Sequence, residues 1–421
     1  MSCSLSQEEQ LWFRAACGVS RSMKNTGMSP PFSALTKGYS GPRSKAWDVT
    51  DRATRMDRDG ADIIHLGVGD PDFDTPAGIV DRAVTSLRSA RTHYSPIPGE
   101  PELRNAVAEA CSYQYGTDTK AAQVCIFPGA QCALFATMLC LAGPGDEVIL
   151  LEPFYATYEG VAQAGGATMV TVALSPDDDF SLNIDRIADA VTDKTRVILM
   201  NSPGNPSGAV FDQKSIESLT RLCRDKNIWL VSDEVYSQLI FDVEHYSPLS
   251  IPQAQDNVIV ISSVSKSFAM TGWRLGWTIA PPELASHLSN LSQCLLFGVS
   301  QFTQDAVAYA LRNEHQQVAT FCNIFKQRRD MFCDALENID GLIVHHPGGG
   351  MFTMVDVSAL GYDGEKFANE LLDDCGVAVV PGFAFGDSVR SCVRIGYLCD
   401  EKQLMDAANR IKKFVAHRIT E

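Results

Sequence analysis

The sequence has no excess of positive charge, no low-complexity tract and no apolar run of membrane-spanning length. Lysine and arginine total 35 against 51 acidic residues, a net charge of −16, whereas nucleic-acid binders show basic patches. Without a long apolar run, no membrane span is expected. The 8 histidines form no HExxH and no Cys/His cluster, so no metal site is expected; the adjacent His345 and His346 read as surface residues. The 13 cysteines contain no CxxC pair. Several lie in apolar helical runs such as "QCALFATMLCLA", which suits small core residues in a reducing, cytoplasmic setting better than a disulfide framework. The start of the chain lacks a positive segment followed by an apolar one, and Glu8 and Glu9 argue against a transit peptide.

Ordered α/β patterning is present instead. "VCIF", "EVILL", "RVILM", "IWLVSD" and "VIVISS" are continuous apolar strands, too uniform to be half-exposed, and between them lie helical patterns such as "SIESLTRLCRDK". That alternation predicts a mainly parallel sheet buried between helices. The expected organisation is a mobile extension over 1–40, the first part of a small domain over 41–75, a large α/β domain over 76–310, and a C-terminal α+β small domain over 311–421.

In open parallel sheets, ligands bind beyond the carboxyl ends of the strands. The segments found there are "PGAQCAL", "EPFYATY", "NSPGNPSG", "DEVYSQ" and "SVSKS". Each has a bland reading: "GAQCAL" as an ordinary helix start, the aromatics of "EPFYATY" as core, "NSPGNPSG" as a rigid turn with cis peptides plausible at Ser202–Pro203 or Asn205–Pro206, and Asp233 as a cap. Lys266, between two serines after a buried strand, resists such a reading, because an amine is costly to bury unless paired or covalently occupied. The segments acquire a common meaning only together.

Their order and spacing, from "LGVGDPDFDTP" to "CVRIGY", resemble the class I/II aminotransferases, the fold-type-I enzymes that use pyridoxal 5′-phosphate. The resemblance implies that Lys266 bonds the cofactor aldehyde, Asp233 pairs with the ring nitrogen, and Asn205 and Tyr236 bond its phenolic oxygen. It implies a phosphate site made by Ser263, Arg274 and the helix start at Ala130 and Gln131, with Tyr155 stacked on the ring. Tyr94 would reach the phosphate of the neighbouring subunit of a homodimer. Arg394 would grip the substrate α-carboxylate in a bidentate fork, helped by Gly69 and Asn205. An ion pair at ~4 Å is worth about 4 kcal/mol at an effective dielectric of ~20, enough for Asp233 to keep a ring nitrogen protonated.

Several stretches, among them "GDPDFDTP" and "MTGWRLGW", look most like arginine:pyruvate aminotransferases, implying ping-pong transfer from an L-amino acid to a 2-keto acid. Where many relatives carry a Ser-Asn-Pro type segment, this chain has "LLFGVSQ", with no cation for an acidic side chain. Asp70 or Asp72 could face a guanidinium, although each reads first as a turn residue. The alternatives are an aspartate-type or broad-specificity aminotransferase and a pyridoxal-phosphate arginine oxidase or hydroxylase. A lyase and a non-catalytic binding protein on the same scaffold are more remote.

Overall fold

The computed structural model describes residues 31–39, 47–252 and 255–419. Most of the expected extension over 1–40 lies outside these residues. Within it, Ala34–Tyr39 form a 3-10 helix whose Tyr39 ring centre lies 6.1 Å from that of Phe135.

Seven strands form one sheet. Its spatial order is Val124–Phe127, Gly276–Ile279, Val258–Ser263, Trp229–Asp233, Thr195–Asn201, Glu147–Glu152 and Thr168–Ala173. Gly276–Ile279 is antiparallel to both neighbours; every other pairing is parallel. The β-branched runs are buried because both faces are covered. One face meets the helices Pro101–Tyr115, Gln213–Asp225 and Gln301–Asn313, and the other meets Ala130–Leu141 and Pro282–Leu295. Full burial of each Val, Ile or Leu contributes about 1.5–3 kcal/mol, which pins the register. A slip of one residue would turn Asp233 away from the face it now presents.

Local signals set the helices. Gln213–Asp225 starts where the Asp212 side chain accepts from Ser215 N at 3.0 Å, and it buries Ile216, Leu219 and Cys223 along one stripe. Ala130–Leu141 starts after Gly129 at φ +84° and buries several successive residues, as a helix wedged beside the sheet must.

A second core belongs to an antiparallel sheet of Ile343–His345, Phe352–Asp356, Cys392–Gly396 and Val380–Pro381, backed by helices Asp48–Arg58, His315–Glu337, Gly364–Cys375 and Glu401–Ile419. The early residues join it: Ile64–His65 pair in parallel with Val377–Ala378. Among the described residues no helix is long and apolar enough to cross a membrane.

Candidate active site

The carboxyl ends of the central parallel strands converge on a cavity of about 360 Å3. Lys266, Asp233, Tyr236, Asn205, Tyr155, Ser263, Arg274, Ala130, Gln131, Gly69 and Arg394 all line it. Tyr94 does not. It is 80% exposed, with its ring edge-on to Phe297 at 5.0 Å.

Lys266 lies in the turn after Val258–Ser263 and donates from Nζ to Gly69 O at 2.5 Å. Burial pulls its amine down to about 8, against the opposing pull of Asp70. Ser263 Oγ accepts from Ser265 N at 3.3 Å, which braces the turn.

Asp233 closes its strand with its carboxylate buried. Oδ2 accepts from Tyr158 Oη at 2.5 Å and Oδ1 from Val235 N at 3.2 Å. Burial raises its pKa to about 6, although both donors act in the other direction. A turn rather than a helix follows Asp233, so the helix-cap reading does not apply.

Asn201 ties the neighbouring loop down. Its Nδ2 donates to Asp233 O at 2.9 Å and its Oδ1 accepts from Asn205 N at 2.7 Å. Asn205 Nδ2 then reaches Tyr236 Oη at 3.4 Å. The Ser202–Pro203 and Asn205–Pro206 bonds are both cis, as is Glu152–Pro153.

Arg394 is 1% exposed, between the rings of Phe352 and Phe385, whose centres lie 4.0 and 4.8 Å from its guanidinium carbon. Nη1 donates to Asn205 Oδ1 at 2.8 Å and Nη2 to Gly67 O at 2.5 Å, while Nε is buried without a partner. Burial pulls the group down to about 10, so it keeps its charge at neutral pH. A cation so confined, with an N–H unspent, suits a planar anion.

The opposite wall is built by absent side chains. A Cβ on Gly129 would lie 2.5 Å from Arg274 Nη2, and one on Gly276 would lie 2.6 Å from Ala130 N. These glycines let a guanidinium close over free N–H groups at a helix start, an arrangement suited to a phosphate. Gln131 accepts at Oε1 from Thr157 Oγ1 at 3.0 Å.

One expectation needs correcting. Asp72 is engaged by Arg328 in a two-pronged pair at 2.7 and 3.0 Å and does not line the cavity. Asp70 does line it, accepting from Thr271 Oγ1 at 2.6 Å. Sequence reasoning also missed Tyr158, Asn201, Phe352 and Phe385. Tyr158 stood in view in "EPFYATY", three residues after Tyr155; nothing marked the two phenylalanines.

Residues 61–411 match the family described as aminotransferase class I and II. The chain is 42% identical over 380 residues to an arginine–pyruvate transaminase of Pseudomonas aeruginosa, covering 90% of this chain and 97% of that one. It is 35% identical over 374 residues to an aspartate aminotransferase of Pyrococcus horikoshii, covering 88% and 94%. An aspartate aminotransferase structure from Thermus thermophilus with maleate superposes at TM-score 0.87, with 31% identity, over 91% of this chain and all (100%) of that one. With the family match spanning most of its length and the same fold beneath it, the chain belongs to the class I and II aminotransferases, enzymes that work with pyridoxal 5′-phosphate.

Proposed function

We propose that this aminotransferase takes its amino group from arginine and delivers it to pyruvate, in two half-reactions at one site. The observation that carries the specificity is the charge on the cavity wall. Among the described lining residues the cations are Lys266, Arg274 and Arg394, each with a role that any amino acid would require, and the wall also carries the carboxylate of Asp70. Among the described residues of one chain that line the cavity, no further cation is left for the side-chain carboxylate of aspartate or glutamate. The relative named an arginine–pyruvate transaminase supports the same reading.

The residues fit the cofactor. The glycine-opened cradle at Gly129 and Gly276, with Arg274 above it, takes the phosphate together with Ser263 and the N–H groups at Ala130 and Gln131. Asp233 takes the ring nitrogen, Asn205 and Tyr236 the phenolic oxygen, Tyr155 a ring face, and Lys266 the aldehyde carbon. When bound, the cofactor supplies an electron sink for the charge released at the substrate Cα.

The protein's own groups do the rest. Asp233, charged above about pH 6, keeps a proton on the ring nitrogen and so keeps the sink effective. Lys266, drawn toward about 8 by burial, is neutral in a useful fraction near neutral pH. It can accept the Cα proton and return it one atom away as base and then acid. Arg394 and the Gly69 backbone orient the carboxylate so that the Cα proton faces Lys266. The apolar rings of Phe352 and Phe385 keep water from Arg394 and strengthen its grip.

In this reading the enzyme is a cytoplasmic homodimer with shared sites, and the exposed Tyr94 is available to a second copy. The test is a panel of arginine, lysine, alanine, leucine and aspartate against pyruvate, 2-oxoglutarate and dioxygen. Arginine with pyruvate should give the highest kcat/KM. Faster turnover of aspartate with 2-oxoglutarate would refute the arginine specificity, and turnover of arginine with dioxygen but no keto acid would replace transfer by oxidation.

A further inference from the structure

The residue after Asp233 is also a buried carboxylate, and the cavity does not use it. Successive side chains at a strand end point to opposite faces, and Glu234, fully buried at 0% exposure, lies behind the cavity wall rather than in it. Four donors converge on it. Oε1 accepts from Ser232 Oγ and Ser247 Oγ, both at 2.8 Å, and Oε2 accepts from Tyr115 Oη at 2.6 Å and His245 Nε2 at 3.2 Å. An ionised carboxylate only accepts, with about four sites, and here each oxygen receives two donors.

Among the described residues no lysine or arginine pairs with this carboxylate, and its sole basic partner is His245. That ring's Nδ1 is buried without a hydrogen-bond partner, and its Nε2 faces the carboxylate. Burying a carboxylate costs several kcal/mol that hydrogen bonds must offset, and apolar residues would join loop to sheet without that cost. The titratable groups near Glu234 are Tyr115, His245 and Cys111, with Asp233 adjacent to it in the chain on the opposite face; those near Asp233 are Tyr158, Tyr155, Tyr236 and Lys266. Of all of these, Glu234 alone brings Asp233 a negative side chain of its own carboxylate kind.

We propose that Glu234 is a positioning residue for the cofactor ring: through Asp233, its buried charge strengthens the hold on a protonated ring nitrogen. This rests on the reading of Asp233 as the ring-nitrogen partner. The repulsion of the two carboxylates makes Asp233 more proton-attracting, so a proton shared between Asp233 and the ring is held more tightly than Asp233 alone would hold it. A loop-anchoring role would instead affect every ligand equally.

The experiment measures dissociation constants of apoprotein for pyridoxal 5′-phosphate and for its 1-deaza analogue, which carries C–H where the ring nitrogen stands. In wild type the natural cofactor should bind more tightly. In Glu234→Gln that preference should fall by about tenfold, the scale of one charge acting through protein, with affinity for the analogue unchanged. Equal weakening of both ligands, or an unaltered preference, overturns the proposal. Tyr115→Phe removes the shortest donor while leaving the charge, so its preference should hold or rise; a fall overturns the proposal even if Glu234→Gln does not fold. In Asp233→Asn the preference should collapse, and adding Glu234→Gln should change nothing further. If Asp233→Asn alone leaves the preference intact, the assignment of Asp233 fails, a result distinct from failure of Glu234.

Discussion

Tyr158 Oη donates to Asp233 Oδ2 at 2.5 Å, wholly inside the protein. This bond stabilises the charged form of Asp233 against burial, which otherwise dominates and raises its pKa to about 6. Tyr158→Phe deletes the donor and keeps the ring. The pKa of Asp233 in the apoprotein should move further up, because a hydrogen bond to a charged group that favours its ionised form is lost. A change confined to thermal stability would mean that the bond serves packing alone.

Asp233 also makes a prediction about stability. Its folded pKa is raised, from an ordinary 3.8 to about 6, so between these values the folded state binds more protons than the unfolded one. Its contribution to stability therefore declines as pH rises through that window and stays low above it. Asp233→Asn removes the burden. The apoprotein of this variant should be more stable than wild type above pH 6, by up to about 3 kcal/mol, with the advantage vanishing toward pH 4. Denaturant melts of both apoproteins across this range provide the check. Catalysis should move the opposite way, since Asn cannot hold a proton on the ring nitrogen.

Lys266 should be the residue that borohydride reduction joins to the cofactor. Peptide mapping of the reduced holoenzyme should find the label on Lys266, and Lys266→Ala should lose multiple turnover while still binding the cofactor phosphate. A label on another lysine would refute the assignment. Because burial lowers the Lys266 amine to about 8, free-enzyme reactivity toward the aldehyde should rise as pH increases through 8 and then level off.

Arg394→Lys keeps a charge but loses the planar fork. Lysine cannot donate simultaneously to Asn205 Oδ1, Gly67 O and a substrate carboxylate from one rigid plane, nor stack as a sheet between Phe352 and Phe385. KM for amino donor and keto acid should both rise by about a hundredfold, the scale of a bidentate charged pair. A rise for one substrate only would mean that the two half-reactions use different carboxylate sites.

The central sheet was legible because its strands are buried on both faces, leaving unbroken β-branched runs. The polar segments at the strand ends were legible for a related reason, since nothing in sheet packing requires a lysine between serines or a rigid Asn-Pro loop. Contacts that depend on distant chain segments were not. Asp72 looked as available as Asp70 until Arg328, 256 positions away, took it. The rings around Arg394 were equally hidden, because Phe352 and Phe385 lie in segments where an aromatic also serves as ordinary core. Glu234 escaped notice because the donors that reveal it come from three different parts of the chain.

Tyr94 carries the last prediction. It lies outside its own subunit's cavity, 80% exposed and leaning on a half-exposed aromatic, Phe297, at 50%. Two adjacent rings facing water form an apolar patch that a second surface would cover favourably, and a second copy of this chain is the surface proposed for it. If Tyr94 completes the phosphate site of a partner, Tyr94→Ala should weaken cofactor binding and activity while leaving the fold intact. Mixed dimers of Tyr94→Ala and Lys266→Ala chains should then regain activity, because one of their two sites has both native residues. At random mixing about half of the dimers are such hybrids, each with one working site, so recovery should approach about one quarter of wild-type activity per dimer under the symmetry of a two-fold assembly. Dimers that form without recovering activity would place the action of Tyr94 within its own subunit.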